Sequence, residues 1–324
     1  MRAPAFWFRR TPLSTLLVPV SVLYAGIGRL RRLMATPQDA GVPVVCIGNL
    51  VAGGAGKTPV AIAVARHLIA RGIHAHFLSR GYGGTLTGPV RAVPGRHDAA
   101  AVGDEPLLLA GIAPCWIAKN RVAGALAAVS DGAQVIVMDD GHQNPSLAKS
   151  LSIVVVDGET GFGNGRVMPA GPLREPVAAG LARADAVAVI GEDRAGVAAQ
   201  VPPGMAVLHG ALEPIGDCRT LAGETVFGFA GIGRPAKFCA TLEALDCAVA
   251  GWREFPDHHP YRRAEIEAIL RDAAAAGAIP VTTEKDAVRL PPDLRNSIRT
   301  VGVQVAWRDP LRLDDVLREV KRDG

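Results

Sequence analysis

Short apolar runs alternate with longer amphipathic stretches along this chain. The runs at 42–48, 75–78, 115–117, 135–138, 153–156 and 186–190 are rich in Val, Ile and Ala. Most lack the every-second-residue alternation of a half-exposed strand, which is the pattern of strands covered on both faces in a parallel sheet. Between them, 59–71, 105–112, 120–130 and 175–183 predict crossover helices. That alternation argues for an α/β fold with a mostly parallel sheet and helices on both faces. A second series follows: strand 226–230, helices 236–245 and 261–276, strands 279–283 and 300–306, and a closing helix 311–321. The longest irregular segment, 158–176, is rich in Gly and Pro. Loops of that length are uncommon unless functional, so it is expected to line a site near a domain junction.

Charge changes the picture at one end only. The 324 residues carry 35 Lys+Arg against 31 Asp+Glu, a net +4, with 49% hydrophobic and 20% charged residues. These proportions exclude a mainly disordered chain and a multi-span membrane protein. Arg2, Arg9, Arg10, Arg29, Arg31 and Arg32 all precede the first acid, Asp39. The first 38 residues therefore hold +6 and the remainder −2, which disfavours a nucleic-acid-binding body. Between Arg10 and Arg29 lie 18 uncharged residues interrupted by Pro12, Pro19, Gly26 and Gly28. Four readings fit: an interfacial segment with arginines and Trp7 at the headgroups, a helix packed on the body, a spanning helix of marginal length, and a signal peptide. The favoured one is a membrane-associating segment, 1–38, lying on an anionic surface. Five cysteines, an odd number without a CxxC pair, read as buried free thiols in a reducing compartment.

The strongest local signal follows the first strand. Gly53, Gly54, Ala55, Gly56, Lys57, Thr58 and Pro59 supply what a phosphate loop needs. Flexible glycines let backbone N–H groups surround phosphate oxygens, a lysine reaches the terminal phosphates, and a hydroxyl reaches Mg²⁺. Pro59 falls in the first helical turn, where a missing N–H costs nothing. Val51 stands where the usual pattern has glycine. The run 135–138 ends in Asp139 and Asp140, a strand end suited to holding the metal or its water shell. The fold implied is of the P-loop NTPase type.

At this point the residues resemble the tetraacyldisaccharide 4′-kinases, also called lipid A 4′-kinases. The matching segments are IGNLVAGGAGKTP (47–59), LSRGYGG (78–84), VGDEPLLLA (102–110), KNR (119–121), MDDGHQN (138–144), PLREP (172–176), FPDHHPY (255–261) and TTEKDAVRL (282–290). They run in order over nearly the whole chain. The resemblance implies transfer of the ATP γ-phosphate to the 4′-hydroxyl of a tetraacylated glucosamine disaccharide 1-phosphate. It places that reaction at the cytoplasmic face of the inner membrane of Gram-negative bacteria, with ATP and Mg²⁺ as cofactors and no obligate protein partner evident. It further implies a kinase domain at 39–152, completed by 308–324, and a second, smaller α/β lobe at 153–307 closing the cleft.

The resemblance also gives roles to single residues. Asp104 looks like the family's catalytic aspartate; the other reading is a helix N-cap for 105–112, and both can hold. His258 resembles the histidine that pairs with it, although Asp257, His258 and His259 together also read as metal ligands. Arg80, Arg121 and Arg174 suit bidentate capture of phosphate on ATP or the sugar, and Glu175 belongs with them. Tyr82 is expected to line the sugar or acyl entrance, with Gln143 and His142 near the transferring phosphate. The segment 282–286 reads either as a nucleotide contact or as a capping turn. Two rival functions share parts of this pattern. A GTPase-like switch or metallochaperone lacks support, because the chain has no N-K-x-D motif. The other is a non-catalytic membrane adaptor whose phosphate loop is only structural.

Overall fold

A computed structural model describes residues 4–318 and 320. The end of the predicted closing helix, and Arg2, fall outside the described residues. The strands of the first series are β1 (Val44–Gly48), β2 (Ala75–Ser79), β3 (Val90–Ala92), β4 (Cys115–Ile117), β5 (Val135–Asp139), β6 (Leu151–Asp157), β7 (Ala186–Ile190) and β8 (Ala206–Ile215). The second series holds β9 (Thr225–Ala230), β10 (Ala248–Glu254), β11 (Ile279–Thr283) and β12 (Arg299–Trp307). The helices up to the phosphate loop are α1 (Pro12–Leu16), α2 (Val18–Leu33) and α3 (Lys57–Ile69). Next come α4 (Ala99–Val102), α5 (Asp104–Ala110), α6 (Arg121–Ser130) and α7 (Val177–Leu181). The last four are α8 (Pro235–Ala244), α9 (Arg263–Ala275), α10 (Glu284–Ala287) and α11 (Pro310–Arg318).

Among the described residues these strands form one sheet in the order β10-β9-β11-β12-β8-β7-β6-β1-β5-β2-β4-β3. All pairs are parallel except β12 with β8 and β3 with β4. Every residue of β1, β2, β5, β6 and β7 is buried, which is why their sequences show no alternation. Val60, Val64 and Leu68 of α3 pack on one face with Ile47, Phe77, Val137 and Leu313 and Leu317 of α11. Ala125 and Ala128 of α6 cover the other face over Cys46, Leu78, Ile136 and Met138. In the second series Phe238 and Leu242 of α8 lie over Val226 and Ala230, while Ile266 and Ile269 of α9 lie over Phe229. The long antiparallel pair β8–β12 joins the two series. The five cysteines are free, four of them buried.

Before β1, α1 and α2 lie against the loop 158–176 rather than apart from the body. Trp7 donates its indole N–H to Pro169 O (3.1 Å), and Arg166 donates to Ser14 Oγ and Thr15 Oγ1 (both 3.0 Å). Ser21 Oγ accepts from Ala170 N–H (3.1 Å). The helix pair thus turns its serines inward and leaves Leu16, Leu23, Ile27, Leu30 and Leu33 exposed. Among the described residues no helix is long and apolar enough to cross a membrane.

Candidate active site

Parallel pairing of β1 with β5 sets Asp139 beside Ile47, at the strand end where the phosphate loop begins. The loop closes at Gly56, whose φ of 84° is open to glycine at little cost and which precedes α3 without a side-chain cap. The first-turn N–H groups of α3 are therefore free for an anion. Lys57 Nζ lies 3.7 Å from Asp140 Oδ1, and Thr58 Oγ1 donates to Asp139 Oδ2 at 3.0 Å. Pro59 is in the first turn, Ala55 is buried beneath the loop, and Gly53 and Gly54 are exposed. Val51, at the position usually given to glycine, makes a bridge with Leu173, while Ala52 N–H donates to Pro172 O and Arg174 N–H to Leu50 O (both 2.7 Å). The segment 172–174 thus buttresses the loop where the sequence departs from the usual pattern.

Asp139 is buried, and its Oδ1 takes no hydrogen bond from any described residue. Burial, with Glu105 adding to it, pushes this carboxyl up to about 7 against the opposing effect of Lys57. An unpartnered oxygen beside a phosphate loop fits a divalent cation, with Thr58 on the same carboxylate. Asp140 takes the left-handed conformation, φ 54°. Burial pushes its carboxyl up, but Lys57 and Arg174 more than offset this and hold it below the usual range. Arg174 Nη1 donates to both Asp140 oxygens (3.2 and 3.3 Å) and to Gln143 Oε1 (3.4 Å). Gln143 Nε2 donates to Asn49 O (2.9 Å) and Glu175 Oε1 (3.2 Å). Glu175 is only 1% exposed and is held by Arg183 (2.8 Å) and by Arg32 of α2 (3.3 Å). It turns into the protein, tying the first helices to the loop rather than facing the cleft.

His142 follows the paired aspartates but points away, its Nε2 bonded to Gly180 O at 3.0 Å. Arg121 is buried at the start of α6 and donates to Ala118 O. Burial, then the charge of Arg80, pushes it down to about 10. Arg80 itself is exposed.

Asp104 opens α5 after Gly103 and is 3% exposed. Its Oδ1 accepts from Glu105 N–H (2.9 Å) and its Oδ2 meets His258 Nδ1 (2.8 Å). Asp104 is thus the first residue of α5 and not its N-cap, a position held by Gly103 without a side-chain cap, so the helix-cap reading is not met. His258 comes from the second series and has φ 60°. Tyr82, 68% exposed, sits with its ring 5.7 Å from the His258 ring. His259 turns instead to Glu265 Oε2 (3.0 Å), and among the described residues no group of three His, Cys, Asp or Glu is arranged to hold a metal. The metal reading of 257–259 thus lacks the geometry it needs.

Sequence reasoning left out four residues behind this pair. Lys285 Nζ reaches Glu105 Oε1 (3.2 Å) and Asp257 Oδ1 (3.8 Å). Arg289, Asp286 and Tyr261 form a buried group beside Asp104. All four lie within the quoted segments 255–261 and 282–290, but nothing local to those segments says which side chains turn inward. Thr283 Oγ1 accepts from Asp286 N–H at 3.1 Å, the capping-turn alternative for 282–286.

Residues 13–322 match the family model described as tetraacyldisaccharide-1-P 4′-kinase. The chain is 54% identical over 321 residues to a tetraacyldisaccharide 4′-kinase of Rhodospirillum rubrum, covering 98% of this chain and 97% of that one. It is 52% identical over 311 residues to the protein of that name from Paramagnetospirillum magneticum, covering 96% of each. The fold is similar to the crystal structure of LpxK from Aquifex aeolicus in complex with ATP, with a TM-score of 0.76 and 24% identity over 95% of this chain and 99% of that one.

Proposed function

The chain belongs to the tetraacyldisaccharide-1-P 4′-kinase family, and we propose that its site transfers the γ-phosphate of ATP to the 4′-hydroxyl of a tetraacyl glucosamine disaccharide 1-phosphate. The observation that carries the reading is the pairing of Asp104 with His258 (2.8 Å) in a chain whose phosphate loop already meets a strand-end aspartate through Thr58 and Asp139 (3.0 Å). Phosphoryl transfer to an alcohol needs a proton acceptor, charge compensation and alignment, and little covalent chemistry from the protein.

In this reading Lys57 and the α3 N-terminus bind the ATP phosphates, with Gly53, Gly54, Ala55 and Gly56 shaping the loop. Thr58, Asp139 and Asp140 are the residues that would hold Mg²⁺, which when bound neutralises phosphate charge and fixes phosphate geometry. Arg174 and Gln143 fix the orientation of Asp140. Arg80, Arg121 and Tyr82 line the acceptor side. Asp104 takes the 4′-hydroxyl proton on Oδ2, and His258 keeps that oxygen aimed and shares its proton. Burial alone would raise the Asp104 carboxyl, but the His258 hydrogen bond and the charges of Lys285 and Arg289 hold it below the usual range. It therefore enters the reaction ionised at neutral pH, as a proton acceptor must.

The exposed apolar face of α1 and α2, with Arg9, Arg10, Arg29 and Arg31 around it, supports docking at an anionic membrane surface where the acyl chains of the substrate lie. The family does not favour the switch alternative. The test is direct: the protein is incubated with Mg²⁺-ATP and a tetraacyl disaccharide 1-phosphate, and the lipid is weighed by mass spectrometry. A product heavier by one phosphate is expected; unchanged lipid from a protein that binds ATP would refute the reading.

A further inference from the structure

Behind the Asp104–His258 pair, the second series builds a group of which the reaction as derived above uses only the charge of Arg289. We infer that Arg289 is a positioning residue for that pair: anchored on Asp286, its guanidinium holds the backbone turn that carries His258 and keeps a cation beside Asp104 Oδ2. The inference rests on the reading of Asp104 as the proton acceptor.

The geometry gives Arg289 two tasks at once. Its Nε lies 3.6 Å from Asp104 Oδ2, the oxygen that also meets His258 Nδ1. Its Nη1 donates to His259 O (3.1 Å), and its Nη2 donates to Gly231 O (2.9 Å). That same Gly231 carbonyl accepts the N–H of His258 (3.1 Å). The guanidinium therefore grips the residue after His258 and the acceptor of the His258 backbone. This matters because His258 is a non-glycine residue at φ 60°, a left-handed conformation that persists only where its surroundings over-determine it. A side chain carried by a strained turn keeps its aim only while that turn is braced.

Arg289 is in turn fixed from behind. Asp286 Oδ1 accepts from Arg289 Nη2 (2.6 Å), Tyr261 Oη (2.7 Å) and Gly231 N–H (2.9 Å), and its Oδ2 accepts from Thr283 Oγ1 (2.6 Å). Burial, with Asp286 alongside, pushes the Tyr261 hydroxyl far up, so it remains a donor. The Arg289 side chain is 4% exposed and Asp286 fully buried. A planar, always-charged fork suits this task and an ammonium does not, because several bonds in fixed directions are needed. The charged groups around Asp104 are His258, Lys285 and Arg289 from the second series, and the adjoining Glu105.

The test is steady-state kinetics of the full-length protein across pH with Arg289→Met, Arg289→Lys, Asp104→Asn and the Arg289→Met/Asp104→Asn double variant. Arg289→Met is expected to lower kcat about 10- to 100-fold, the scale of a misaligned reacting group, with KM for ATP within about twofold. Its acidic limb moves to higher pH, because removing a cation lets Asp104 take up its proton earlier. Arg289→Lys restores the position of that limb but only part of kcat. The double variant is no slower than Asp104→Asn alone, since the two act as one unit. Wild-type kcat and an unmoved limb in Arg289→Met would overturn the inference. If that variant does not fold, wild-type kcat in Arg289→Lys does the same. Asp104→Asn with undiminished turnover would instead remove the reading on which it rests.

Discussion

The two oxygens of Asp104 keep different company. Oδ1 accepts the N–H of Glu105 at the start of α5, while Oδ2 faces His258 from the other end of the chain. Holding both makes the carboxylate rigid as well as ionised, and rigidity is what alignment of an alcohol requires. Asp104→Asn keeps the shape and the helix start but removes the proton acceptor. It is expected to reduce kcat by about 10²–10⁴, the usual contribution of a positioned base, with KM for ATP little changed. Steady-state kinetics decides this, and near-wild-type turnover would exclude Asp104 from proton transfer. Lys57, Thr58 and Asp139 stood out in the sequence through the local loop and strand-end pattern, whereas Asp104 and His258 were singled out only through the family resemblance. The inward turn of Glu175, braced by Arg32 and Arg183, was legible in neither. Its partners lie far along the chain, and no local pattern marks which charges become buried.

Among the elements, α1 and α2 reverse the usual rule for a surface helix. Ser14 and Ser21 are buried against 166–170 because loop backbone and Arg166 offer them hydrogen bonds, and the leucines are left outside. Apolar side chains held outward by polar contacts on the inner face are suited to an acyl boundary. Changing Leu16, Leu23 and Leu30 to Gln is expected to weaken binding to anionic vesicles roughly a thousandfold, at about 1.5 kcal/mol per leucine immersed. The melting temperature is expected to stay unchanged, because all three side chains are exposed. Vesicle sedimentation equal to that of the unaltered protein would sink the docking idea. The strands tell a related story. Fully buried β1, β5 and β7 were readable as apolar runs, whereas β8, β10 and the short edge β3 were not. Gly210 and Pro214 break the run of β8, and in β10 the register shifts between Val249 and Gly251, where the Phe227 ring leaves no room for a Cβ.

Over the whole molecule, the two series are joined beyond the Asp104–His258 pair by the β8–β12 ladder, by Lys285 to Glu105, and by Asp157. That carboxylate, at the end of β6, meets Arg234 Nη1 (2.8 Å) and Lys237 from the start of α8. Burial pushes it up, but Lys237 and Arg234 more than offset this and hold it below its ordinary value of 3.8. A depressed carboxyl favours the folded state above its ordinary value, and that contribution disappears as pH falls through the lowered one. Asp157→Asn is expected to cost about 1–2 kcal/mol at neutral pH in urea unfolding, because the two cations it leaves are partly solvated. The gap between variant and unaltered protein should close below about pH 4. A gap that persists undiminished in acid would mean that the charge of Asp157 is not what holds the halves.

What the sequence determined by itself was the alternation of buried strands and crossover helices, the phosphate loop with its strand-end aspartates, and the family to which the ordered motifs belong. Each follows from interactions between residues close in the chain, or from chemistry that one side chain carries alone. The tertiary structure decided which of those residues meet. His258 reaches Asp104 across 154 positions, Leu173 takes up Val51 beside the phosphate loop, and Arg289 turns inward to brace a strained turn. Such meetings depend on strand order and on which charges find partners once buried, and neither is written in any local stretch of the chain.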